Sequence, residues 1–113
     1  MNIIYEGFRD SWRTAHVTKL VNGKRAHLPV RLDLYNHSPD GFEYGYGGSG
    51  PAQLALALLA DVLGDDDRAV RLHQPFKWRV IARLAQEDPW RLTRLEILGH
   101  VEALEAEDAP RPA

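Results

Sequence analysis

From Ala52 to Leu63 the chain reads Ala-Gln-Leu-Ala-Leu-Ala-Leu-Leu-Ala-Asp-Val-Leu, and its only polar residues are Gln53 and Asp61. Alanine and leucine are strong helix formers. A helix that is apolar around most of its circumference has to be buried on several sides. With 113 residues there is material for one domain. The segment therefore predicts a central core helix with the rest of the chain wrapped around it. Ala52, Ala55, Ala57 and Ala60 leave room for neighbouring backbones to come close.

The helix is preceded by Gly45-Tyr46-Gly47-Gly48-Ser49-Gly50-Pro51. Pro51 suits the first helical position, where a missing N–H costs nothing. Ser49 or Gly50 is the expected N-cap, and with Gly50 in that role Gln53 sits where a side chain can bond back to the cap.

Upstream, the pattern is that of strands. Ile3–Phe8 is a short apolar run, and Trp12–Val21 is rich in β-branched residues. Asn22-Gly23 follows, the pair that a two-residue type I′ hairpin turn demands. Lys24–Tyr35 alternates over Val30, Leu32 and Leu34, with Pro29 marking a bulge or an edge. Ser38-Pro39-Asp40-Gly41 is a turn. Phe42, Tyr44 and Tyr46 then alternate as a fourth strand with an aromatic face.

Downstream, Gly64 ends the core helix, and Asp65-Asp66-Asp67 opens another, where the helix dipole favours acids. Pro75 is expected to cut that helix short at His73. Phe76, Val80, Ile81 and Leu84 predict a further helix from Pro75 to Ala85. Thr93-x-x-Glu96 is a capping box that opens a last helix carrying Leu95, Ile97, Leu98, Val101 and Leu104. The expected fold class is α+β: an antiparallel β-meander of about four strands in the N-terminal half, then a central buried helix and two or three further helices. Residues 1–105 form the single compact domain, and 106–113 a disordered tail.

The chain has no cysteine, so thiolate chemistry and disulfides are excluded. Met1–Glu6 lacks the basic and apolar regions of a signal peptide, and no stretch is apolar enough to span a bilayer. The expectation is a soluble, cytoplasmic protein with no membrane partner. Net charge is −2. Residues 1–39 hold six Lys/Arg against three Asp/Glu, and residues 87–113 three against seven. Any contact with nucleic acid is thus expected in the N-terminal third.

Two candidate sites follow. Gly47, Gly48, Ser49 and Gly50 precede a helix N-terminus, the setting of many anion and nucleotide sites. Gly45, Gly47 and Gly50 also fit Gly-x-Gly-x-x-Gly. The Walker lysine is missing, Pro51 removes an N–H, and the loop follows an antiparallel meander rather than opening a βαβ unit. Gly47–Pro51 is not a Gly-x-Ser-x-Gly nucleophile elbow either. The competing reading makes the glycines a structural bend. The second candidate is a basic surface of Arg13, Lys19, Lys24, Arg25 and Arg31 on the predicted hairpin, facing nucleic acid or an acidic partner. His37 with Asp33, Asp40 and Glu43 has no recognised ligand spacing, so no metal and no cofactor is expected.

The segment Ser38-Pro39-Asp40-Gly41-Phe42-Glu43-Tyr44-Gly45-Tyr46-Gly47-Gly48-Ser49-Gly50-Pro51-Ala52-Gln53-Leu54-Ala55-Leu56-Ala57 resembles the signature of an uncharacterised family of small proteins from bacteria, phages and plasmids. The resemblance continues more loosely through Phe76-Lys77-Trp78 and Trp90. Tyr44 stands where the family more often has tryptophan. The resemblance implies no activity. It suggests an accessory protein of a mobile element that acts on a host factor. Together with the absence of a catalytic constellation, it points to a small non-enzymatic binding module with a protein partner. The alternatives are an enzyme or nucleotide-binding protein using the Gly45–Pro51 loop, and nucleic-acid binding through the basic hairpin.

Overall fold

The computed structural model describes residues 2–108. Strands β1 (Ile3–Arg9), β2 (Ala15–Val21) and β3 (Lys24–His27) are followed by helices α1 (Ser49–Leu63) and α2 (Asp66–Arg79). A 3-10 turn, Ile81–Arg83, leads to strand β4 (Trp90–Thr93) and helix α3 (Arg94–Asp108). The α+β class and the four-stranded antiparallel sheet are as expected. Its order is β3-β2-β1-β4.

Asn22 and Gly23 join β2 to β3 with φ of 51° and 84°, the two left-handed residues of a type I′ turn. Val21 pairs with Lys24 across it. Nothing lies within 4 Å of a Cβ added at Gly23, so a substitution there is felt through the backbone alone. Gly23→Val is expected to destabilise the protein by about 1–3 kcal/mol. Urea unfolding of the variant beside the parent measures this.

The fourth strand comes from a different place than expected. Phe42–Tyr46 is irregular, and Gly45 has φ 87°. The position beside β1 belongs to β4, with Gly7 opposite Trp90 and Tyr5 opposite Leu92. Trp90 and Leu92 are buried and Arg91 is exposed, which is strand alternation over too few residues to stand out. β3 also stops at His27. Pro29 cannot donate to a ladder, Arg31 takes φ 60°, and residues 32–34 form a turn. Residues 28–48 thus form one long irregular loop.

Two helix boundaries also differ. Pro75 lies inside α2 and does not end it. The proline is exposed, while Ala69, Leu72, His73, Phe76 and Lys77 form a continuous buried stripe beneath it, and that packing offsets the lost hydrogen bond. The predicted helix from Pro75 to Ala85 is therefore the end of α2 plus the 3-10 turn. The capping box is formed: Thr93 N–H donates to Glu96 Oε1 at 3.1 Å, and Glu96 N–H donates to Thr93 Oγ1 at 3.0 Å. α3 continues to Asp108, past the expected boundary at residue 105. The remainder of the expected tail lies outside the described residues.

α1 is the centre of the core. Every residue from Gly50 to Ala60 is buried. Gln53 and Asp61 tie it to different parts of the chain. Asp61 accepts the Tyr5 hydroxyl at 2.5 Å and pairs with Lys19 at 2.8 Å, which fixes the helix to the sheet. Gln53 fixes it to the long loop. Its Oε1 accepts from His37 N–H at 2.8 Å and Ser38 N–H at 3.2 Å, and its Nε2 donates to the Val30 carbonyl at 2.7 Å. Gln53 therefore bonds to the loop and not back to a cap. No helix among the described residues is long and apolar enough to cross a membrane.

Candidate functional site

The glycine loop is held in place by contacts its glycines allow. A Cβ at Gly45 would stand 2.6 Å from Gln86 Cα, and the Gly45 N–H donates to the Ile81 carbonyl at 3.0 Å. At Gly47 a Cβ would meet the Trp78 ring at 2.1 Å, at Gly48 the Tyr46 ring at 2.5 Å, and at Gly50 Glu43 Cβ at 2.5 Å. A side chain at any of the four would thus meet the protein's own atoms. The N-cap of α1 is Gly48, with no side-chain bond to the cap. Ser49 is the first helical residue and is exposed, so neither Ser49 nor Gly50 is the cap. Pro51 falls in the first turn, among the N–H groups that have no partner within a helix.

Arg9 anchors the loop to the sheet. Its guanidinium lies 2.8 Å from Glu43, donates to the carbonyls of Gln86 at 2.7 Å and Tyr44 at 3.3 Å, and sits 4.5 Å from the centre of the Tyr44 ring. A polar hollow of about 230 Å³ beside it is lined by Arg9, Arg13, Glu43, Tyr46, Gln86 and Glu87. Both arginines there already face carboxylates. Tyr44 is fully buried, and burial pushes its hydroxyl pKa up.

The exposed side of the loop is aromatic. The Trp78 ring, 58% exposed, lies against Gly47, and the Tyr46 ring, 42% exposed, lies against Gly48. Lys77 is buried, with its ammonium 4.3 Å from the centre of the Trp78 ring and 3.4 Å from the Gly47 carbonyl. A lysine does reach the loop, then, but its contact there is a carbonyl oxygen.

One helical turn before Lys77 on α2, His73 is buried against the long loop. Its Nε2 lies 2.9 Å from Nε2 of His37, whose ring stacks on Tyr35 with centroids 4.2 Å apart. Burial holds both imidazoles below the ordinary histidine pKa, with Lys77 acting in the same direction. His100 is shifted down too, first by burial and then by Arg79. For groups with a depressed folded-state pKa the unfolded chain takes up protons first, so stability falls as pH drops below about 6.5. The denaturation midpoint is expected to be lower at about pH 5.5 than at about pH 7.5.

The basic residues read from the hairpin do not share one face. Arg13, in the β1–β2 connection, pairs with Glu87; Lys19 points from β2 towards α1 and pairs with Asp61. Arg31 lies in the long loop between Asp33 and Asp66. Lys24 and Arg25 are neighbours on the exposed edge strand β3, whose alternation sends them to opposite faces, and Arg25 donates to Thr18 Oγ1 at 2.8 Å. The acids near His37 are also apart, Asp33 with Arg31 and Glu43 with Arg9. No group of three or more metal-ligating side chains occurs among the described residues.

Sequence reasoning brings neither Arg9, Lys77 and Gln86 to the glycine loop nor His73 to His37. One available signal was the His73/Lys77 spacing of four, which puts both on one helix face. Arg9 and Gln86 arrive through long-range packing that no local pattern carries. No curated protein and no solved structure matches the chain. A family described as a family of unknown function, DUF6166, matches residues 5–103, and the chain belongs to that family.

Proposed function

We propose that this protein is a non-enzymatic binding module whose contact surface is the Tyr46–Trp78 face of the glycine loop, with a protein as partner. The observation that carries the reading is the seating of two exposed aromatic rings on consecutive glycines, Gly47 and Gly48. A ring resting on bare backbone loses little freedom when a partner covers it, and rigid aromatics of this kind are the usual anchors of protein interfaces. The lack of room for a side chain at Gly45, Gly47, Gly48 and Gly50, where atoms of the same chain stand in the way, supports the structural role of the loop over an anion or nucleotide site. Residues 1–105 act as one unit in this reading. The motif resemblance suggests its biological form, a mobile element's accessory protein acting on a host factor in the cytoplasm.

Site-specific photo-crosslinking in host cells tests it. A benzophenone side chain at position 78 is expected to give a discrete protein adduct that excess parent protein competes away. Position 102, exposed on α3, is the control. Equal adducts from both positions, or none from position 78, would overturn the reading.

A further inference from the structure

The long loop of residues 28–48 meets α2 through a bridge of two imidazoles, and the chemistry of that bridge is directional. His73 Nδ1 lies 2.5 Å from the Val70 carbonyl. A carbonyl only accepts, so Nδ1 carries the hydrogen. In neutral His73 the Nε2 lone pair is then free, and His37 Nε2–H donates to it across 2.9 Å. A first proton taken up by His37 at Nδ1 leaves this bond intact. A second, on His73 Nε2, turns the bond into two facing N–H groups.

The charges around the pair leave that second proton uncompensated. His73 is 5% exposed. Lys77, on the same face of α2, is the charged group that acts on both imidazoles, and His73 also acts on His37. Tyr35, stacked on His37, contributes a ring. Among the described residues no carboxylate faces either imidazole: Asp33 is held by Arg31, and Glu43 by Arg9. Lys77 in turn touches the Gly47 carbonyl at the other end of the loop, so α2 holds both ends of residues 37–47 from one face.

We infer that the His37–His73 bridge is an acid-sensitive latch: protonation of both imidazoles breaks the bridge beside Lys77 and frees residues 35–38 of the loop from α2. The inference does not depend on the proposed contact surface, because its readout lies at the other end of the loop.

Amide hydrogen exchange by NMR, in the presence of a chelator, tests it directly. The reporters are the His37 and Ser38 amides, both bonded to Gln53. Their protection, corrected for intrinsic exchange, is expected to fall roughly ten-fold or more between about pH 7.5 and about pH 5, the size of one pH unit of proton linkage. Amides in the middle of α1 are expected to fall less. His73→Gln keeps an acceptor for the His37 N–H and takes up no proton, so its loop protection is expected to be independent of pH. His37→Gln gives the same expectation if the first variant folds poorly. Constant loop protection in the parent, or the same fall in both glutamine variants, would overturn the latch.

Discussion

Gly45→Ala is expected to lower the unfolding free energy by about 2–5 kcal/mol, more than an alanine at any other position of the glycine loop. Two costs act together. Gly45 has φ 87°, a region that L side chains rarely adopt, and its added Cβ would lie 2.6 Å from Gln86 Cα and 3.0 Å from Gln86 N. Backbone cannot swing aside as a side chain can. At Gly47 and Gly48 the obstacle is the edge of a partly exposed aromatic side chain, which yields to a clash more readily than backbone does. Ser49→Ala is the control. Ser49 is exposed and makes no cap bond, and its removal is expected to stay within about 0.5 kcal/mol. Urea unfolding with an unchanged m-value ranks the variants.

Gln53→Leu is expected to cost about 2–4 kcal/mol although it keeps the side-chain volume. Gln53 is fully buried and serves the amides of His37 and Ser38 and the carbonyl of Val30. Leucine leaves those three backbone groups without their partner, and an unmet buried group costs more than a made hydrogen bond contributes. The loss should be local as well as global. The His37 and Ser38 amides are expected to exchange faster in the variant, while the type I′ turn at Asn22-Gly23 is expected to be unaffected.

These two positions show what the sequence could and could not convey. The burial of α1 was legible because apolarity all round a helix has one physical remedy. Asn22-Gly23 was legible because few residue pairs accept φ > 0 twice. The capping box was legible because its two bonds lie within four residues. What failed was pairing at a distance. Phe42–Tyr46 alternates as a strand would, yet Trp90–Thr93, far along the chain, takes the place beside β1. Four residues of alternation are a weak signal, and nothing local tells a strand which neighbour it will find. Pro75 misled for a related reason: the rule against proline in a helix is local, and the buried stripe from Ala69 to Lys77 overrides it.

The candidate site was legible only in part. The glycine loop and its launch of the core helix could be read directly. The residues that give the loop its surroundings, Arg9, Lys77, Trp78 and Gln86, come from β1, α2 and the segment after it. Their convergence is set by how α2 packs on α1. The five basic residues illustrate the opposite error. Closeness in sequence suggests one surface, but strand alternation sends Lys19 towards α1 and Arg25 away from it, and Arg31 lies beyond the end of β3.

We propose that Gly45–Pro51 is a structural mount and not a phosphate cradle. Thermal melts of the parent, Gly45→Ala and Gly50→Ala, each with and without inorganic phosphate and nucleotides, test it most directly. Both variants are expected to melt below the parent, and neither ligand is expected to move the parent's Tm. A saturable rise in the parent's Tm with phosphate or nucleotide, lost in a glycine variant whose ligand-free Tm is unchanged, would contradict it.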